Sequence, residues 1–247
     1  MQIDTTFDIR TDAGGKDPDQ YSATLRKYHK RLWNKSLPCG RNFELRDDRP
    51  GAYLHHQSEL GEFFLSSDTV VPSFTRWKSM KHITGLFSEE ENEAFRTAAY
   101  TVGSTMIFPA NRVDGKSTIN GARGFNRQIS DRFDLTLESI RRHYVGLDSP
   151  LGDTLSRYRS FFSLFADFSG YVDFFLLQDL ATDDCSAVRF FMPFDDFRTS
   201  SVPKDRSEYE QYRILSIAFL EARNRRIARG ISSASAALEH AASLGPC

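Results

Sequence analysis

Seven side chains able to hold an anion crowd into residues 111–127: Asn111, Arg112, Lys116, Asn120, Arg123, Asn126 and Arg127. Gly115, Gly121 and Gly124 fall in the same stretch and let backbone amides converge, so guanidinium forks and an amide nest would together suit a phosphate. Gly115-Lys116-Ser117 reads as the end of a nucleotide-binding P-loop, and the apolar run at 105–108 supplies the strand such a loop needs. The motif's first glycine is Ala110 here, however, and Gly121 and Gly124 occupy the first turns of the helix that should follow, at about 1 kcal/mol each. Walker geometry is therefore not expected, whereas a donor-rich anion loop is. The competing reading pairs the same cations with Asp114, Asp131, Asp134 and Glu138 and ties the loop to the next helix. Four cations and three asparagines exceed what four carboxylates require, which keeps the ligand reading.

Carboxylates offer a second kind of chemistry. Asp195 and Asp196 follow the apolar run 188–194, and Asp173 precedes another, so the three together could hold Mg²⁺ for phosphoryl transfer. Ordinary turn chemistry is the simpler account of an Asp-Asp pair. His55 and His56 lie near Glu59 and Glu62, but adjacent residues of a strand point to opposite faces, so they do not share a metal without a bulge. The stretch 26–35 alternates bases with Tyr28, His29 and Trp33, as single-strand binding surfaces do; an amphipathic helix with snorkelling cations is the simpler account. Neither a serine-hydrolase elbow, a zinc-protease helix nor a paired Cys-x-x-Cys occurs.

The elements that must position these groups are legible in outline. A chain of 247 residues, 40% hydrophobic and 26% charged, suits one large domain, with 21 phenylalanines concentrated in its second half as core material. A net charge of −1 gives no long-range field for nucleic acid or an anionic membrane, so any anion site must be local. Cys39, Cys185 and Cys247 are scattered and odd in number, as in a reducing compartment, and no run approaches the length of a membrane span; a cytoplasmic protein with no membrane partner is expected.

Residues 7–10 read as an extended piece. Ser22 or Asp19 caps a helix to about Asn34, short strands follow within 41–67, and Ser88 with Glu91 spells a capping box. Residues 104–109 read as a buried strand, 130–144 as a helix, and Pro150 opens another through about Leu164. Residues 188–194 read as a strand, while 170–180 fits either strand or helix. A long amphipathic helix spans 205–229 with Tyr209, Tyr212, Leu215, Phe219 and Ile227 on its apolar side. The expected fold is α+β: a helix-rich single domain over 1–230 with a small mixed or antiparallel sheet, and a small-residue tail, 231–247, forming a frayed helix at most.

The segments "GKDPDQYSATLRKYHKRLWNKSLP", "GKSTINGARGFNRQISDRFDLTLESIRRHY", "GYVDFFLLQDL" and "FFMPFDDF" resemble those of an uncharacterised bacterial and phage-borne family, a domain of unknown function. The resemblance runs from about residue 7 to Ile227 and implies a bacterial, intracellular, single-domain protein; it transfers no catalytic residue and no cofactor. The leading expectation is a protein recognising a phosphate-bearing ligand, a nucleotide or nucleic acid, through the 111–132 loop. The alternatives are a metal-dependent phosphoesterase or nucleotidyl-transfer enzyme, the only reading that implies Mg²⁺, and a partner-binding protein without a small-molecule site.

Overall fold

The computed structural model describes the backbone of residues 2–243 and the side chains through Gly230. The chain opens with turns in which Asp8 accepts from Arg10, where an extended segment was expected. Short helix α1 (Pro18–Tyr21) then leads into α2 (Ala23–Trp33), which Ser22 caps by accepting from the Leu25 amide at 3.1 Å. Its buried stripe is Leu25, Tyr28, His29, Leu32 and Trp33, so the aromatic residues among the bases of 26–35 are core, not a binding face.

Strands β1 (Lys35–Ser36) and β2 (Asn42–Phe43) form a two-stranded antiparallel ladder. A second antiparallel sheet has β4 (Gly61–Thr69) at its centre, between β3 (Leu54–Ser58) and β5 (Thr105–Pro109). The β3–β4 hairpin pairs Leu54 with Leu65, and β5 pairs Met106 with Asp68. All five residues of β5 are buried, as the apolar run predicts. His55 and His56 do diverge: one meets Glu62 at 2.7 Å, the other the Glu44 carbonyl at 2.9 Å.

Helix α3 (Lys81–Thr84) precedes α4 (Glu89–Ala99), which begins at the expected capping box of Ser88 and Glu91. Helix α5 (Ile119–Phe125) follows β5, and α6 (Phe133–Val145) starts three residues later than expected because Ser130 and Asp131 both adopt positive φ, which no helix accommodates. The helix expected from Pro150 is divided at Tyr158 into α7 (Gly152–Arg157) and α8 (Arg159–Phe162). The run at 170–180 falls into α9 (Phe168–Phe174) and a 3₁₀ turn, Gln178–Leu180. Residues 188–194 are not a strand; apart from a lone bridge between Ala181 and Val188, they form irregular backbone. Their rings pack without a ladder partner, Phe190 stacking on Phe194 at 4.1 Å with both partly buried, and the Phe191 amide donates to Asp134 instead of to a strand.

Helix α10 (Arg206–Ser243) crosses the molecule and unites its parts; the last four residues of the expected tail, 244–247, lie outside the described residues. Tyr209 and Tyr212 donate to the carbonyls of Ser73 and Pro72, while Leu215 sits on the partly exposed edge. Further along, Arg223 is fully buried and donates to the carbonyls of Gly103 (2.8 Å), Thr105 (2.9 Å) and Phe175 (3.1 Å). The aromatic core lies beside it: Trp33 packs between Phe174 and Phe175, and Phe165 meets both at 5.0 and 5.1 Å. Such ring pairs add about 0.5–1.5 kcal/mol each beyond burial. The architecture is α+β, helix-rich, with small antiparallel sheets.

Candidate functional site

Strand β5, a nine-residue connection and α5 reproduce the strand–loop–helix order of a phosphate loop, without its glycine spacing. The helix forms despite Gly121 and Gly124 because Thr118 accepts from the Gly121 amide at 3.3 Å and Ile119 is buried beneath it. Gly115 takes φ +69°, the left-handed conformation that suits glycine, and turns Lys116 outward.

Arg123, expected as an anion contact, has the opposite role. Its side chain is wholly buried; it donates to the Thr136 hydroxyl at 2.9 Å and the Asp131 carbonyl at 2.8 Å, and forms ion pairs with Asp68 and Asp131. Helix α5 is thereby pinned to the central strand β4. A guanidinium so buried and so engaged is closed to a ligand, and removing one partner of a buried pair costs about 3–5 kcal/mol. Asp19 adjoins this cluster, accepting from the Thr69 amide at 2.9 Å while its second oxygen, also buried, has no hydrogen-bond partner. Burial pushes the Asp19 carboxyl up to about 7 against the pull of the Thr69 amide, and Asp17 and Asp131 add to the rise.

The other six residues of the loop divide. Asn120 turns inward, donating to the Ser66 hydroxyl at 3.0 Å, and Asn126 braces the loop by donating to the Pro150 carbonyl at 3.1 Å. Asn111, Arg112, Lys116 and Arg127 are exposed. Asp134 and Glu138, expected as partners of the loop's cations, are engaged elsewhere: Asp134 with Arg132, and Glu138 with Arg141 and Arg142.

Lys116, Ser117, Phe125 and Asn126 line one side of an open groove of about 650 Å³, and Pro150, Asp153, Thr154 and Arg157 line the other. Arg157 holds the two sides together, donating to the Ser117 carbonyl at 2.8 Å and to the Asp153 carbonyl at 3.1 Å. Phe125 is 88% exposed, an unusual position for a large apolar residue beside a groove. Sequence reasoning passed over Phe125 and Arg157. The signal for the first was an isolated aromatic inside a polar run; the second lies 40 residues from the carbonyl it holds, with nothing local to mark it.

The aspartates considered for Mg²⁺ do not converge. Asp195 pairs with Arg198 at 3.1 Å, Asp196 with Arg142 at 2.7 Å, and Asp173 accepts from Gln178 at 2.9 Å. Among the described residues no group of three or more His, Cys, Asp or Glu side chains is arranged to hold a metal ion. No described helix is long and apolar enough to cross a membrane.

Residues 3–227 match the family DUF6994, described as a family of unknown function. The chain belongs to that family. No curated protein and no solved structure matches it. The DUF6994 match takes in the groove, the Arg123 cluster and α10 as far as Ile227, whose side chain is buried in the core.

Proposed function

We propose that the protein binds a phosphate-bearing ligand, a nucleotide free or within a single strand, in the groove between residues 115–126 and α7. The observation that carries this reading is the pairing of a free ammonium with a bare ring. Lys116 has no ion-pair partner among the described residues, and Phe125, on the same wall, offers its face to solvent. A phosphate on Lys116 and a base on Phe125 would use both; base–aromatic stacking contributes about 1–3 kcal/mol. Exposed Arg112 and Arg127 add positive charge on either side in sequence. The ligand touches the anion loop at its rim, so Arg123 acts only as its anchor. A bacterial or phage setting and a cytoplasmic location belong to the same proposal; the free thiols Cys39 and Cys185 support the reducing compartment.

Thermal-shift and anisotropy titrations with nucleoside triphosphates and short single-stranded oligonucleotides test this. Bound ligand at 100 times Kd raises stability by about 2.7 kcal/mol. Lys116→Ala and Phe125→Ala should each weaken binding at least tenfold while leaving the unliganded melting temperature unchanged, since neither side chain is packed. If no phosphate ligand shifts the wild type, the proposal fails.

A further inference from the structure

A second cleft, of about 360 Å³, opens beside the aromatic core, lined by Lys35, Leu37, Pro38, Gly170, Asp173 and Phe174. Lys35 is half-buried in it. Its ammonium nitrogen lies 4.6 Å from the centre of the Phe174 ring and 5.2 Å from that of Trp33, and it has neither a hydrogen bond nor an ion pair among the described residues. Beneath it is the buried Arg223 guanidinium, 5.9 Å from the same Trp33 ring. The partners of Arg223 are carbonyls and the Met106 sulfur, so no carboxylate pairs with it directly, and its positive charge bears on Lys35. An amine half withdrawn from water beside a second cation is the arrangement that makes lysine a nucleophile at neutral pH.

We propose that Lys35 is a carbonyl-capturing amine whose cleft takes small neutral aldehydes. The nitrogen lone pair attacks the aldehyde carbon, the carbonyl oxygen collects two protons and leaves as water, and the nitrogen loses both its hydrogens to form the imine; no oxidant or reductant is consumed. The walls choose the substrate class. Leu37, Pro38 and Phe174 are apolar, and the Asp173 carboxylate at the rim repels 2-oxo acids and other anionic carbonyl compounds. Burial, then Arg223, lowers the Lys35 ammonium to about 8, with Asp173 opposing. At pH 7 that leaves on the order of a hundredfold more free amine than in an ordinary lysine.

The test is competitive reductive alkylation of the full chain with limiting propanal and cyanoborohydride at pH 7, followed by peptide mapping of all lysines. Lys35 should be alkylated at least tenfold faster than exposed Lys78, Lys81, Lys116 and Lys204, and its rate should rise with pH to a midpoint near 8. Asp173→Asn, at the protein surface, should accelerate Lys35 twofold or more and leave the other lysines unchanged, and it should admit glyoxylate as a substrate. Labelling of Lys35 no faster than that of the exposed lysines, or with a midpoint near 10, overturns the proposal. So does a slower Lys35 in Asp173→Asn when circular dichroism shows the variant folded.

Discussion

Asp19 is the residue whose chemistry departs furthest from its sequence context. An aspartate between Pro18 and Gln20 reads as a helix-start residue, yet its carboxyl is buried against β4 and raised to about 7, above the usual 3.8. The sign of the linked effect follows from where the proton is held. Between about pH 4 and 7 the folded chain keeps a proton that the unfolded chain releases, so stability falls as pH rises across that window, by up to about 1.4 kcal/mol per pH unit. Urea titrations from pH 4 to 8 should show this slope, and Asp19→Asn, which keeps an acceptor for Thr69, should flatten it and be the more stable form at pH 8. A wild type whose stability rises steadily from pH 4 to 7 would contradict the assignment. Arg123 teaches the same lesson from the other sign of charge. Its type and neighbours promised an exposed anion contact; its actual partner Asp68 is 55 residues away, and nothing in a local window distinguishes a guanidinium bound for the core from one bound for water.

Elements whose causes are local were readable in advance. The Ser88–Glu91 box and the stripe of α2 each depend on residues within a few positions of one another, and the structure contains both. Where the cause is tertiary, reading failed: residues 188–194 have strand composition but no strand beside them to pair with, and the helix from Pro150 breaks at Tyr158, whose hydroxyl reaches the Asn111 carbonyl. Gly170 in α9 shows how strongly tertiary context can reverse a local rule. In an exposed helix, glycine to alanine stabilises by up to about 1 kcal/mol. A Cβ at Gly170 would stand 2.1 Å from the Phe165 carbonyl oxygen and 3.1 Å from Pro38. Gly170→Ala should therefore destabilise the protein, by about 2 kcal/mol or more in chemical denaturation, because a backbone carbonyl, not a flexible side chain, has to move. An unchanged or raised midpoint would show that α9 shifts freely against its neighbours.

At the scale of the whole molecule, α10 decides how many units the fold contains. It donates to the 72–73 backbone at one point and to β5 and Phe175 at another, and Arg226 pairs with Asp179 at 2.6 Å. The two tryptophans report on separate regions: Trp33 sits among Phe174 and Phe175, and Trp77 against Phe74, which in turn meets Tyr212. Thermal unfolding of Trp33→Phe followed at Trp77, and of Trp77→Phe followed at Trp33, should each coincide with the far-ultraviolet transition of the same variant, as one cooperative unit requires. Midpoints that separate within a variant would divide the chain in two. The α+β class follows from composition and periodicity, but this tie does not, because the carbonyls that receive Arg223 lie 120, 118 and 48 residues from it. That separation constrains the order of assembly. A guanidinium loses its hydration before the carbonyls replacing water are in place unless β5, the turn before it and the end of α9 arrive together, and a partly docked α10 is penalised more heavily than a detached one. Intermediates in which the helix lies loosely on an unfinished core are thereby kept sparse, and the closing of these long loops belongs to the rate-limiting barrier.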